Sequence, residues 1–383
     1  MNKKVYLFFV FLLFSFSVIC AYTLPESYAS GEVVGAVTGR ELSLGGMVVM
    51  GEEWLNPALI AGNKGFKVSI TGGFVKTGER RKKSLFDSFD NRIGDVTVAD
   101  NSNVFSEPTC VSVSYFSPLR LGVGFHFLPF VDFDYKYTRE MRDDFYILKE
   151  TINDEGKGKI YLSSFTAAYE IVKDRLSIGF GIDLFNGKRE WNYTEEYVDP
   201  SIDDIHNKFS QTLRGNTVTA GVLLRPLLRI RLGGFVSTKA MLGDDKENDL
   251  PFRFGGGMEI IPPNELPALF VVDAIFEQWN SINNNYADVI KLHMGVEHQF
   301  SMSMKGRFGF GYETSYLSSD IPKVFFTSGV GFVQGGLTLD AGINVAKRDY
   351  SANDVATGQR DMDGVSSISE SLIKFLVSVT YRR

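Results

Sequence analysis

Residues Arg120–Tyr137 read RLGVGFHFLPFVDFDYKY. Leu121, Val123, Phe125, Phe127, Pro129, Val131, Phe133, Tyr135 and Tyr137 take alternate places, with Gly122, Gly124, His126, Leu128, Phe130, Asp132, Asp134 and Lys136 between them. A period of two belongs to a β-strand, whose successive side chains leave on opposite faces. Apolar faces of soluble antiparallel strands usually end after about five or six residues. One this long, aromatic toward one end, suits a tilted strand crossing a bilayer, which takes roughly 9–11 residues. The stretch is expected to be one stave of a membrane-spanning barrel, with its odd positions facing lipid throughout.

The pattern recurs. Counting that stretch as the third, alternation predicts strands over 66–76, 109–116, 159–171, 175–185, 212–224, 228–237, 251–261, 266–278, 288–300, 305–313, 324–332, 336–345 and 371–381, fourteen in all. The parity of the fourth and sixth stays open. Short links at 117–119, 172–174, 225–227, 262–265, 301–304 and 333–335 alternate with long polar ones at 77–108, 138–158, 186–211, 238–250, 279–287, 314–323 and 346–370. Short periplasmic turns and long external loops are the outer-membrane pattern, and closure removes every free sheet edge. The fold class expected is all-β: a 14-stranded antiparallel transmembrane β-barrel. Two of the long loops carry helix signals: Ser84 and Asp87 ahead of Phe89, and Ser201 and Asp204 opening a helically spaced set of Ile202, Ile205, Phe209 and Leu213.

Composition sharpens this. Lys3 and Lys4 precede an apolar run from Val5 to Ile19, which reads as a secretory signal over residues 1–21. Ile19 is too bulky before Cys20 for a lipoprotein signal, and Cys110 is then the one cysteine of the mature chain, so no internal disulfide forms. The 38 glycines are about a tenth of the chain, against a usual ~7%, and fall on inward positions of strands. At net charge −6 the chain has no basic stripe for nucleic acid. His126, His206, His293 and His298 lack metal-ligand spacing, and no G-x-S-x-G nucleophile motif occurs. Neither an enzyme nor a cofactor site is expected.

Residues 22–65 do not alternate and are rich in glycine; in front of a barrel they are expected inside it, as a plug, leaving 66–383 for the wall. Within them Gly39-Arg40, Gly45-Gly46 and Asn56-Pro57-Ala58-Leu59-Ile60 resemble the amino-terminal region of the FadL/TodX family of outer-membrane transporters for hydrophobic compounds. The resemblance implies a fourteen-stranded barrel closed by an N-terminal hatch with an Asn-Pro-Ala motif, here Asn56, Pro57 and Ala58. It implies passive uptake of fatty acids or similar molecules from outside, binding in the lumen, hatch movement, and sideways release into the bilayer at a defect in the third strand. Pro129 is the residue placed for that defect, since it lacks the N–H a ladder needs. The outer link at 238–250 is shorter than the family's, and the chain ends Tyr381-Arg382-Arg383.

Arg231, Arg253 and Arg307 have lumen parity and share it with acidic residues. They either stiffen the wall as ion pairs or hold a fatty carboxylate through the planar guanidinium fork. Val75, Leu128, Phe130, Val271 and Ile275 then hold the tail, each buried methylene contributing ~0.8 kcal/mol. Expected partners are outer-membrane lipid, a hydrophobic small molecule and, during biogenesis, the barrel-assembly machinery, with the protein a monomer. Two other functions fit the same build: a structural or secretion-scaffold barrel with a protein partner, and a polar-solute porin.

Overall fold

The computed structural model describes residues 29–143, 145–243, 245–263, 267–355 and 361–383. The expected signal, residues 22–28 of the expected plug, and parts of the links at 262–265 and 346–370 lie outside them.

Among the described residues sixteen strands form one antiparallel sheet. A two-residue strand, β1 (Glu32–Val33), lies in the lumen. The wall runs β2 (Gly65–Phe86), β3 (Arg92–Phe116), β4 (Leu121–Asp132), β5 (Tyr135–Arg142), β6 (Leu148–Val172), β7 (Leu176–Tyr197), β8 (Ile205–Leu227), β9 (Ile230–Ser237), β10 (Arg253–Ile260), β11 (Ala268–Glu277), β12 (Val289–Gln299), β13 (Met304–Glu313), β14 (Lys323–Gln334), β15 (Leu337–Val355) and β16 (Asp361–Arg382). β4 and β5 are one interrupted stave, and β4 pairs with β6 to close the ring. Leaving out β1 and counting β4 with β5 gives fourteen staves. β16 joins β2 in register from Tyr381–Val68 to Ser367–Lys82.

The lipid-facing positions follow from parity. Phe66, Phe74, Phe180, Phe254, Phe270, Met294, Phe308 and Phe326 stand exposed, while Ser69, Asp183, Glu259, Asp273, His293 and Arg307 are buried. An exposed apolar belt around a closed wall has no counterpart on a soluble monomer. The two open parities resolve with Phe165 and Tyr169 outward on β6, and Val222 and Leu224 outward on β8.

Three expectations are corrected. First, most of 77–108, 138–158, 186–211 and 346–370 is strand, not loop: β2, β3, β6, β7, β8, β15 and β16 run 19–25 residues. By contrast β9–β14 run 8–12, about one bilayer crossing. The wall is therefore tall on one side and low on the other. Above the bilayer the outer face meets water, so both faces of a strand carry polar residues and the alternation fades. Second, the helix signals around Ser84 and Ser201 lie in strand ends and hairpin turns, because cross-strand pairing outweighs a local cap. Third, the apolar stripe of Arg120–Tyr137 does not face lipid throughout. Leu121–Phe127 does, but Val131, Phe133, Tyr135 and Tyr137 are buried.

Candidate functional site

The third stave fails as a strand halfway up. β4 pairs with β3 only from Gly122–Phe116 to Phe127–Val111. Pro129 follows, and the register with β6 slips between Pro129 and Val131. Every residue from Leu128 to Asp132 is buried: the strand stays paired with β6 but has parted from β3 and turned toward the interior. It breaks at Phe133–Asp134, where Asp134 N–H donates to the Asp132 carboxylate (2.9 Å) and Gly158 N–H to that of Asp134 (2.6 Å). Lys159, buried beside them, pairs with Asp132. Beyond the break β5 meets β3 through side chains: the Asn101 amide donates to Thr138 O (3.1 Å) and that of Asn103 to Lys136 O (2.9 Å). On the other bank, β3 is bulged opposite Thr71–Gly73 of β2, and Pro108 there has no N–H to offer.

The edge of β4 freed in this way is taken by the inner segment. Glu32 pairs with Asp132 and Val33 with Val131, and Val34 N–H donates to Phe130 O (2.8 Å). Lys323 holds Glu32 (3.0 Å) and Glu313 (2.8 Å).

From there the inner segment descends through the lumen. Thr38 caps the short helix α1 (Gly39–Ser43), accepting from Glu41 N–H. Gly39 N–H reaches Ser378 Oγ (2.7 Å), Gly45 N–H reaches Thr327 Oγ1 (2.9 Å), and Val48 and Val49 N–H both reach Asp273 Oδ2 (2.7 Å). Buried amides thus find wall side chains as partners. Asn56 is fully buried, its amide donating to Val49 O and Val222 O (3.3 Å each). Pro57 opens a 3₁₀ turn, Pro57–Gly62, at the place where a missing N–H does no harm. A Cβ at Gly179 would sit 2.3 Å from Ala58 N, so this wall glycine is what admits the Asn-Pro-Ala backbone.

Charge ties the segment down. Arg40 reaches Glu41 (2.9 Å), Glu297 (3.5 Å) and Glu259 (4.0 Å). Burial opposes its charge, but those carboxylates raise its pKa further above the usual range. Burial, with Glu41 nearby, pushes the Glu52 carboxyl up to about 8, although Val37 N–H donates to it (3.1 Å). Burial also acts on Glu53, but the Lys67 ammonium at 3.0 Å overcomes it and brings that carboxyl down to about 2.

The candidate residues fall into separate places. Leu128, Phe130 and Ile275 meet in one apolar cluster with Trp54, Phe185, Leu213 and Phe235. Arg253, buried, lies over the Phe130 ring at 4.8 Å; among the described residues its side chain makes no hydrogen bond or ion pair, and the Glu277 and Asp183 carboxylates are the charges that act on it. Val75 is elsewhere, with Phe325 and Leu372, and Val271 lies below among Leu44, Met47, Met50 and Leu59. Arg231 is engaged by Glu259 (2.5 Å), and Arg307 by Glu297 (2.7 Å) and Asp340 (2.8 Å). Trp54 and the folded-in link residues Ala240, Leu242 and Leu250 join the apolar cluster unforeseen, since nothing local marks a loop residue as inward. The inward parity of Phe185 and Phe235 was the readable signal for those two.

A narrow cleft, open in part to solvent, lies between the inner segment and the failed seam. Lys67, Cys110, Val111, Phe127 and Leu128 line its wall side, and Glu52, Glu53 and Trp54 its inner side.

A closed fourteen-stave wall with an apolar outer belt and a lumen filled by the chain's own N-terminal segment defines a transmembrane barrel of outer-membrane type. The same fold is seen in several solved structures. A Pseudomonas aeruginosa FadL homologue is 12% identical (TM-score 0.67, covering 92% of this chain and 99% of that one). The Pseudomonas putida toluene transporter TodX is 13% identical (TM-score 0.67, 92% and 99%), and the Ralstonia pickettii toluene transporter TbuX 13% identical (TM-score 0.61, 92% and 98%). No protein-family model matches the chain, and no curated protein does.

Proposed function

We propose that this protein resides in the bacterial outer membrane and passes hydrophobic small molecules, long-chain fatty acids or similar compounds, without an energy source and without catalysis. Cargo enters from the rim of hairpin turns and lodges in the apolar cluster around Leu128, Phe130 and Ile275, with the Arg253 guanidinium available to an acidic head. The inner segment acts as the plug. Its displacement joins the cluster to the cleft, and cargo leaves sideways between β3 and β4 beside Pro129.

The observation that carries this reading is the seam. The ladder stops at Val111–Phe127, within the lipid-facing belt, and a cleft leads inward from that point. A polar-solute porin needs a continuous aqueous path, whereas this lumen is packed with Trp54, Leu55, Met47 and Ile60, all buried. Two of the proteins that share the fold, TodX and TbuX, are toluene transporters, which supports an apolar cargo.

The experiment is uptake of a fluorescent fatty acid into proteoliposomes, run beside swelling in a polar sugar. Pro129→Ala restores a ladder donor and should slow uptake several-fold while the barrel keeps its heat-modifiable migration. Uptake equal to wild type in that variant removes the lateral exit, and sugar permeation faster than fatty-acid uptake removes the cargo class.

A further inference from the structure

The tall side of the wall ends in hairpin turns that carry exposed rings on a shared frame. In the β2–β3 turn, Asp87 Oδ1 accepts from Phe89 N–H (2.8 Å) and Asn91 N–H (2.9 Å), Asp87 N–H donates to Asn91 O, and Asp90 holds φ at +60°. In the β5–β6 turn, Asp143 Oδ1 accepts from Phe145 N–H (3.0 Å) and Ile147 N–H (2.9 Å), Asp143 N–H donates to Ile147 O, and Tyr146 holds φ at +61°. In both, the residue two after the aspartate is a phenylalanine 83% exposed. A left-handed φ at tyrosine is disfavoured, and here the turn holds it. Two adjacent hairpins thus hold a bare ring on a hydrogen-bonded frame, so little side-chain or loop ordering remains for binding to impose.

The charges around these rings say what they meet. Arg80 pairs with Asp100 (2.6 Å), Arg92 with Asp95 (2.6 Å), Arg142 with Glu140 (2.5 Å) and Lys149 with Asp143 (3.1 Å). These four basic side chains are thus engaged within their own hairpins, and exposed Lys82 faces Asp95 across the β2–β3 hairpin without an ion pair among the described residues. The next turn, β7–β8, is acidic, with Asp199, Asp203 and Asp204 around exposed Val198 and Ile202. Such a rim repels an anionic surface. Aromatic faces beside carboxylates favour a quaternary ammonium, and apolar side chains favour the acyl layer beneath it.

We propose that the tips of the tall side dock the protein on a second lipid surface, one of zwitterionic phosphocholine headgroups, with Phe89 and Phe145 inserted among the chains. This goes beyond transport and does not depend on which cargo crosses the lumen; vesicle binding reads it apart from uptake. The full chain in nanodiscs is mixed with phosphatidylcholine vesicles and with vesicles half phosphatidylglycerol, and co-flotation is measured. It should float with the first and at least threefold less with the second. The double variant F89S/F145S should weaken flotation at least tenfold, two buried rings being lost. Phe89→Trp reports the same event without removing the ring. The emission of the introduced indole should shift to the blue and be quenched by brominated phosphatidylcholine, which cannot reach the native Trp54, Trp191 and Trp279, all buried. Absence of flotation, stronger flotation with the anionic vesicles, an unaffected double variant, or unquenched emission from the Phe89→Trp variant each overturns the proposal.

Discussion

Asp273 and Gly309 hold the inner segment by opposite means, one by reaching across the lumen and the other by having no side chain to get in the way. The Asp273 carboxylate satisfies two buried amides at once, those of Val48 and Val49. Asp273→Ala leaves both without a protein partner, at about 1–3 kcal/mol each. Hydrogen exchange at Val48 and Val49 should then quicken by at least tenfold, while amides of the barrel ladder keep their protection. At Gly309 a Cβ would lie 2.0 Å from Gly45 N and 2.6 Å from Gly45 Cα. Backbone cannot step aside as a flexible side chain does, so Gly309→Ala should lift the segment locally, at about 1–3 kcal/mol. Single-channel conductance in a planar bilayer is expected to rise, with the folded barrel still migrating as such.

At the level of elements, the break between β4 and β5 and the strand β1 are two halves of one arrangement. Where β4 parts from β3 while staying paired with β6, one edge of its backbone is left unpaired, and β1 covers it. Opening the seam and releasing the inner segment are therefore coupled through Val33–Val131 and Val34–Phe130. Val33→Cys with Val131→Cys, in a chain whose Cys110 is replaced by serine, places two thiols at directly paired positions of an antiparallel ladder. Oxidation should abolish fatty-acid uptake and reduction should restore it. Uptake unchanged by the cross-link would show that cargo passes with β1 in place.

For the whole molecule, the charges of the inner segment make closure depend on pH. Glu52 is protonated more readily when docked, its carboxyl standing at about 8 against an ordinary 4.5. A group whose pKa is raised in the docked state supports docking fully below its free value, and that support is lost as pH rises through the raised one. Glu53, lowered to about 2, does the reverse, and its contribution fades only below about 4.5. Of these two carboxyls, only Glu52 changes between about pH 5 and 8.5, and its effect should make conductance climb across that window. Glu52→Gln, neutral at every pH, should flatten the curve. The uneven height of the wall is the other property at this scale: the low side sets one bilayer crossing, and the tall side carries turns clear of it.

Chain pattern and tertiary structure divide the account along a physical line. Wherever the outer face meets lipid, solvent imposes one rule on every second residue, so the fourteen staves, most of their parity and the position of the short turns are readable from sequence. Phe180, Phe254 and Phe308 face outward for that reason alone. The same rule misleads at Val131 and Phe133, which alternate like lipid-facing residues but are buried, because an apolar side chain satisfies a lumen core as well as a bilayer. It is silent above the membrane, where water bathes the strand ends and long hairpins read as loops. Which arginines pair within the lumen and which one stacks on Phe130 depends on strand neighbours distant in the chain. The register of β13, β14 and β15 sets Arg307 beside Asp340, whereas only closure of the barrel brings Arg253 over the Phe130 ring.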